Sequence, residues 1–129
     1  MVVDTSALLA LLQLEPEAEQ FARVLSAAPA RLISAVTRVE LSFVAEGQRG
    51  ERGRQEVDLL LREGEYDVTA VTPHQAEIAI DAFRRFGKGR HRARLNFGDC
   101  FAYALAAETG YPLLYKGDDF ALTDIPAAI

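Results

Sequence analysis

The chain has 129 residues, half of them hydrophobic, which suits one globular domain with a single core. Its net charge of −5, from 14 Lys plus Arg against 19 Asp plus Glu, excludes the class of uniformly basic nucleic-acid-binding domains. One cysteine cannot form an internal disulfide, and no apolar run approaches the roughly 20 residues that span a bilayer. We therefore expect one domain over residues 1–129, cytoplasmic, soluble and without a membrane partner.

Predicted strands alternate with predicted helices along the chain. Pro16 is expected to open a second helix after a first one that starts near Thr5, and Thr37 with Glu40 has the spacing of a capping box. Thr72 is expected to cap a later helix, with Gln75 closing its box. The pattern predicts strands at 1–4, 31–37, 66–72 and 111–119, and helices at 5–28, 37–48, up to Gly64, 72–87 and 98–110. Such alternation implies a parallel sheet with helices on both faces.

The cations are concentrated in the segment "RRFGKGRHRAR", residues 84–94. It holds six of the 14 basic residues, and no acid lies between Asp81 and Asp99. A local patch of this kind can attract phosphates although the whole chain is acidic. A solvated loop between glycines is the alternative interpretation. The cations in question are Arg84, Arg85, Lys88, Arg90, Arg92 and Arg94.

Four acids that are distant in sequence fall at one predicted edge of the sheet. Asp4 ends the first strand, Glu40 lies in the first turn of the helix after the second strand, and Asp99 lies in the first turn of another helix. Asp118, with Asp119 beside it, follows the last strand. Strand carboxyl ends and helix amino ends share the edge at which such folds bind ligands. Each acid taken alone could instead cap a helix or belong to a turn.

Four carboxylates in one crevice repel one another strongly unless a cation is bound. Two of them about 4 Å apart repel by roughly 4 kcal/mol at an effective dielectric constant near 20. Oxygen ligands suit a hard cation, so the pattern predicts a site for Mg²⁺ or Mn²⁺ and phosphoryl-transfer chemistry. None of the two histidines and the cysteine is expected to be catalytic. His74 is expected to be exposed, His91 to lie in the basic loop, and Cys100 to pack in the core.

The sequence resembles the PIN-domain ribonucleases, and most closely the VapC toxins of bacterial toxin–antitoxin pairs. The resemblance runs along nearly the whole chain. It rests on the stretches "MVVDTSALLALL", "SAVTRVEL", "LNFGDCFAYALAAETGYPLLYKGDDF" and "TDI".

The resemblance implies a PIN-like three-layer α/β/α sandwich with a central parallel sheet. It implies an endoribonuclease that uses Mg²⁺ or Mn²⁺ to hydrolyse structured RNA, tRNA or rRNA, to 5′-phosphate and 3′-hydroxyl ends. By motif, the catalytic and metal-binding acids are Asp4, Glu40, Asp99 and Asp118. Homodimerisation and a VapB-type antitoxin, which lays a basic side chain into the acidic pocket, are also implied.

The chain departs from the family motif at the fourth acid. Many PIN domains carry Thr or Ser two residues before it, where this chain has Lys116, and Asp119 is an alternative to Asp118. Thr5 or Ser6 is expected to orient Asp4.

Two other functions remain open from the sequence. One is a domain that binds RNA or protein through a structural metal ion without catalysis. The other is a haloacid-dehalogenase-like phosphatase, which would require a second Asp where this chain has Ser6.

Overall fold

The computed structural model describes residues 1–129 and contains a parallel sheet of four short strands in the order β3-β2-β1-β4. Every pairing in this sheet is parallel, as predicted. In chain order, the elements are β1 (Val2–Val3), α1 (Thr5–Leu12), α2 (Ala18–Ala27), β2 (Leu32–Ser34), α3 (Ala35–Glu63), β3 (Asp67–Thr69), α4 (Pro73–Phe86), α5 (Phe97–Thr109), β4 (Leu113–Leu114) and a 3₁₀ turn (Phe120–Leu122).

Helices cover both faces of the sheet, which confirms the three-layer α/β/α sandwich. Successive strand residues point to opposite faces. Val2 and Leu113 accordingly pack into a core formed with α4 and α5, whereas Val3 and Leu114 pack into a second core formed with α1, α2 and α3. The apolar strands are therefore buried on both sides, as is typical of parallel sheets.

The long element α3 is a helical hairpin that turns at Gly50, where φ is +61° and ψ is −142°. Arg38 Nη2 contacts Asp58 Oδ1 at 2.9 Å across the two halves. In a straight helix these residues would lie about 30 Å apart, at 1.5 Å per residue. The hairpin confirms the turn that was expected between the helix at 37–48 and the one ending near Gly64.

Two helix starts and the cap of a third helix differ from the sequence prediction. α3 begins at Ala35 and is capped by Ser34, whose Oγ accepts the Val36 N–H, so the capping box of Thr37 is wrong. α2 begins at Ala18, two residues after Pro16. Thr72 caps α4 as predicted, but the amide of Gln75 donates to Glu108 on α5 instead of closing the box. Only for Gln75 is the cause a tertiary contact, because its side chain is bound to Glu108.

The sheet order places a topological switch point between β1 and β4. The chain passes from β1 to β2 and β3 on one side and then returns to β4 on the other side. A crevice opens beyond the carboxyl ends of the strands at such a point. Asp4 follows β1 directly and therefore lies at this crevice. None of the helices combines the length and the apolar character needed to cross a bilayer.

Candidate active site

Asp4 is the most deeply buried acid of the site, with 3% of its surface exposed. Its Oδ2 caps α1 by accepting the Ser6 N–H at 3.0 Å, and it also accepts the Ser6 hydroxyl at 2.6 Å. Ser6 Oγ in turn accepts the Lys116 N–H at 2.9 Å, which joins the end of β4 to Asp4. Oδ1 is buried without a hydrogen-bond partner. Burial raises the pKa of Asp4, and Glu40 adds to this rise, while the Ser6 hydrogen bonds oppose it.

Glu40 belongs to the first half of α3, and its carboxylate lies beside the start of α5. Its Oε1 accepts the hydroxyl of Thr5 at 2.5 Å, and Thr5 itself is buried next to Asp4. Its carboxylate lies against Gly98, where a β-carbon would overlap it. Thr5 therefore orients Glu40, and Ser6 orients Asp4. The expectation that either residue orients Asp4 holds for Ser6.

Asp99 serves both as a helix cap and as part of the pocket. Its Oδ2 accepts the Asn96 N–H at 2.9 Å, and Asn96 Oδ1 accepts the Asp99 N–H at 2.9 Å, which is a complete capping box. Burial raises the pKa of Asp99 to about 7, and the charges of Asp4, Glu40 and Asp119 contribute to this rise.

The two candidates for the fourth acid have different surroundings. Asp118 is exposed; burial raises the pKa of Tyr115, and the charge of Asp118 adds to this rise. Asp119 is half-buried, and its charge raises the pKa of Asp99. Lys116 turns its ammonium group away to Glu15 and Glu17, so it leaves the pocket acids without a cation. Asp118 and Asp119 therefore differ in burial, and both stay candidates for the fourth acid.

The donor set of the pocket fits a hard divalent cation in chemistry. Its charged groups are carboxylates, with the hydroxyls of Thr5 and Ser6 beside them, and the unpartnered Oδ1 of Asp4 points to a ligand that the chain itself does not supply. In the arrangement that the structure shows, no group of three or more His, Cys, Asp or Glu side chains is placed so that it could hold a metal ion.

Two residues of this site were not singled out from the sequence. Asn96 stands three positions before Asp99, which is the capping-box spacing, so the local signal was present. Gly98 matters only because Glu40 from another helix lies against it, and no pattern in the sequence carries that contact.

The basic segment forms an ordered loop after α4. Lys88 N–H donates to Leu95 O at 2.9 Å, and Leu95 N–H donates to Phe86 O at 3.0 Å, which closes the loop at its base. Within the segment only Arg85 is in an ion pair, with Asp81 and with Asp124 Oδ2 at 2.8 Å. Arg85 is thus engaged within the fold. The other five cations are exposed and unpaired: Arg84, Lys88, Arg90, Arg92 and Arg94.

The histidines and the cysteine lie where they were expected. His74 is exposed in the first turn of α4. His91 accepts the Ala93 N–H through Nδ1 and packs edge-on against Phe86, so it shapes the loop. Cys100 is buried, and burial raises the pKa of its thiol to about 11, which disfavours the nucleophilic thiolate.

Sequence comparison finds relatives that match this chain over nearly its whole length. The PIN domain family model matches residues 1–126. The ribonuclease VapC30 of Mycobacterium tuberculosis is 50% identical over 125 residues, which are 97% of this chain and 95% of that protein. The ribonuclease VapC of Mycolicibacterium smegmatis is 49% identical over 127 residues, 98% of each chain.

Two solved structures show the same fold at low sequence identity. VapC20 of Mycobacterium tuberculosis, described as a sarcin-ricin loop cleaving toxin, superposes with a TM-score of 0.77 at 20% identity, covering 96% of this chain and 95% of its own. VapBC2 from Rickettsia felis, bound to a DNA fragment from its promoter, gives a TM-score of 0.73 at 11% identity, covering 98% and 94%.

Proposed function

The chain belongs to the PIN-domain family, among its VapC ribonuclease toxins, and we propose that it hydrolyses structured RNA with the assistance of Mg²⁺ or Mn²⁺. The observation that carries this proposal is the buried pocket in which Asp4 has an unpartnered oxygen beside Glu40 and Asp99. The substrate class, tRNA or rRNA, is taken from the family, and VapC20 is described as cleaving the sarcin-ricin loop. Family membership leaves no support for the phosphatase alternative.

The proposed metal ligands are Asp4, through its free Oδ1, and Asp99, with Glu40 and Asp119 completing the set directly or through water. A divalent ion bound there supplies Lewis-acid activation of a water and neutralises charge on the phosphate. Asp119 takes the place of Asp118 in this proposal because Asp119 is half-buried whereas Asp118 is exposed, and the charge of Asp119 contributes to the raised pKa of Asp99.

The chain's own residues have three tasks in the reaction. Ser6 fixes the carboxylate of Asp4, and Thr5 fixes that of Glu40. Water attacks the phosphorus in line with the leaving 3′-oxygen, and Glu40 or Asp119 takes up the water proton. The P–O3′ bond breaks, so the products carry a 5′-phosphate and a 3′-hydroxyl. The exposed cations of the loop hold the RNA backbone.

The pocket also suits a basic side chain of a partner protein. Four acids near one another carry no internal cation, since Lys116 pairs elsewhere. One solved structure with the same fold is described as a toxin–antitoxin complex from Klebsiella pneumoniae. We propose a VapB-type antitoxin as the partner, with an Arg or Lys placed in the acidic pocket. Homodimerisation stays a prediction from the family.

The proposal is tested by cleavage of total RNA with Mg²⁺, Mn²⁺ or EDTA, followed by mapping of both ends. Asp4→Asn and Asp99→Asn should each reduce cleavage by about 100-fold or more, since loss of even outer-sphere partners costs 10–100-fold. Asp58→Asn, which removes an exposed acid paired with Arg38, is the control and should cleave normally.

Three results would contradict parts of this proposal. Cleavage that persists in EDTA would show that the reaction does not require a divalent metal ion. Ends carrying a 2′,3′-cyclic phosphate would make the RNA 2′-hydroxyl the nucleophile instead of water. RNA that is bound but left intact with metal would favour the non-catalytic binding domain.

A further inference from the structure

Lys116 connects the acidic pocket to the turn between α1 and α2. Its ammonium group contacts the carboxylate of Glu15 and, at 3.3 Å, that of Glu17. Its main-chain N–H donates to Ser6 Oγ at 2.9 Å, and the Ser6 hydroxyl donates to Asp4 Oδ2 at 2.6 Å. A continuous series of polar contacts therefore runs from two glutamates outside the pocket to the most deeply buried acid inside it.

The contact of Lys116 with the two glutamates, called the lysine clamp below, differs from an ordinary surface ion pair. Lys116 and Glu15 are 101 residues apart in sequence, and their side chains are only 35% and 25% exposed. Glu17 Oε2 is buried, and the ammonium group of Lys116 is the cation that faces it. Since two carboxylates of one turn share this ammonium group, it is engaged within the fold and is not free for an RNA phosphate.

The main chain leaves the sheet at Lys116. Strand β4 ends at Leu114, whose carbonyl accepts the Asp4 N–H at 2.9 Å. Gly117 follows Lys116 with φ at +98°, a conformation that glycine adopts readily and without restraint from a side chain. The lysine clamp therefore supplies a restraint on the main chain exactly where the sheet no longer does, and it keeps the Lys116 N–H on Ser6.

Asp4 depends on Ser6 because only one of its carboxylate oxygens is hydrogen-bonded. Oδ2 accepts from Ser6, whereas Oδ1 is buried without a partner. If the Lys116 N–H leaves Ser6 Oγ, the hydroxyl of Ser6 is free to rotate away from Asp4, and the direction of Oδ1 is less firmly fixed. Loss of partners that orient a metal ligand typically costs about 10- to 100-fold in metal affinity.

We propose that Lys116 is a positioning residue for the metal site, which acts through Ser6 on Asp4, and that Glu15 and Glu17 hold it in place. This inference rests on the proposed metal-dependent function and extends its machinery to residues outside the pocket. Lys116 itself contacts neither the metal ion nor the RNA.

Charge alone predicts the opposite effect from positioning, so the sign of one measurement decides. Lys116→Met removes a cation near the pocket and keeps the length of the side chain; by charge alone it should tighten the binding of a divalent cation. The probe is Mn²⁺ alone, added to protein free of RNA and followed by the electron paramagnetic resonance signal of the free ion. We expect Lys116→Met to bind Mn²⁺ about 10-fold more weakly than wild type. Equal or tighter binding would overturn the proposal.

Three further variants separate the lysine clamp from a general loss of charge. Arg23→Gln removes an exposed cation that pairs with Glu19 on α2, and it should leave Mn²⁺ affinity at the wild-type value. Lys116→Arg keeps a cation between the glutamates and should bind Mn²⁺ more tightly than Lys116→Met. Glu15→Gln combined with Glu17→Gln should weaken Mn²⁺ binding as Lys116→Met does. Wild-type affinity in this double variant would contradict the lysine clamp.

A double-mutant cycle tests the route through Ser6. In Ser6→Ala protein, Lys116→Met should have no further effect on Mn²⁺ affinity, because the hydroxyl through which it acts is already absent. Additive effects of the two substitutions would contradict this route. Circular dichroism shows that each variant is folded. If Lys116→Met is not folded, the variant with both glutamates replaced provides the same comparison with wild type.

Cleavage kinetics distinguish positioning from contact with RNA. At a limiting concentration of Mn²⁺, Lys116→Met should lower kcat and leave the KM for RNA unchanged. A raised KM at unchanged kcat would make Lys116 an RNA contact and overturn the proposal.

Failure of this inference is distinguishable from failure of the proposed function. A wild type that binds Mn²⁺ and cuts RNA, with equal Mn²⁺ affinity in Lys116→Met, contradicts the positioning role alone. Weakened Mn²⁺ binding in Lys116→Met, together with a wild type that cuts no RNA, supports the positioning role and contradicts the nuclease. A wild type that binds no Mn²⁺ contradicts both.

Discussion

The absence of a side chain at Gly98 lets the carboxylate of Glu40 lie against the first turn of α5. Gly98 therefore leaves the space that the carboxylate of Glu40 occupies next to Asp99. Thr5 also donates a hydrogen bond to Glu40, and this bond holds the carboxylate in its place. The closeness of Glu40 and Asp99 depends on this one glycine.

Gly98→Ala should reduce RNA cleavage by about 10-fold or more, because displacement of a catalytic group by about 1 Å can cost as much as 100-fold. The melting temperature should change little, since the overlapping atoms belong to the end of a flexible side chain. The two measurements are the cleavage rate and the thermal unfolding curve. A variant that cleaves at the wild-type rate would show that Glu40 is not required at this place.

The adjacent acids Asp118 and Asp119 allow a paired test of the fourth position. Asp119→Asn should reduce cleavage by about 10-fold or more, because Asp119 acts on Asp99. Asp118→Asn should stay within about twofold of wild type, because Asp118 is exposed and acts on Tyr115. The measurement is the cleavage rate of both variants at saturating Mg²⁺. A larger loss of rate in Asp118→Asn than in Asp119→Asn would make Asp118 the fourth acid.

At the scale of elements, the hairpin of α3 depends on close contact between its two halves. Gly53 in the second half lies against the carbonyl of Ala45 in the first, and a β-carbon there would overlap backbone atoms. Arg49 and Glu56 add an ion pair across the hairpin at 2.9 Å. This packing fixes the helix that carries Glu40.

Gly53→Ala should lower the free energy of unfolding by about 1–3 kcal/mol, the usual cost of overpacking, because backbone atoms cannot move aside as a side chain can. Gly47→Ala is the matched control in the same hairpin, where a β-carbon meets nothing within 4 Å. That control should gain about 0.5–1 kcal/mol from helix propensity. Both values come from denaturant unfolding, and equal effects of the two variants would contradict the close contact.

At the scale of the whole molecule, Asp124 joins the carboxyl-terminal segment to two helices. Its Oδ1 accepts the hydroxyl of Tyr103 on α5 at 2.6 Å, and its Oδ2 pairs with Arg85 on α4 at 2.8 Å. The hydrogen bond from Tyr103 is the main cause that lowers the pKa of Asp124, and Arg85 adds to it. The "TDI" stretch of the family resemblance thus has a structural role in this chain.

Asp124→Ala should cost about 1–2 kcal/mol of stability near pH 7, because the hydroxyl of buried Tyr103 loses its acceptor. Since the folded-state pKa is lowered, the contribution of Asp124 is present above its ordinary value of 3.8 and is lost as pH falls through the folded-state pKa. Unfolding curves of wild type and variant should therefore converge in acid.

Asp81→Ala is the control for this pH dependence. Its exposed carboxylate contacts Arg85 at only 3.5 Å, so its effect should stay below about 0.5 kcal/mol. A stability difference between wild type and Asp124→Ala that grows toward low pH would contradict the lowered pKa of Asp124.

Local sequence was sufficient for the order of elements and for part of the site. Strand and helix periodicity depends on neighbouring residues, so the parallel α/β sandwich and the places of Asp4 and Asp99 at element ends could be predicted. The αL cap at Gly110 and the turn that divides α3 follow from glycine in the same way.

The rest depended on contacts between residues far apart in the chain. Thr5 and Glu40 are 35 residues apart, and Arg85 and Asp124 are 39 apart. No periodicity encodes such pairs, so Arg85 was counted among the RNA-binding cations although the fold engages it. For the same reason the sequence left Asp118 and Asp119 as alternatives, and only the packing of α3 on α5 gave Gly98 its role.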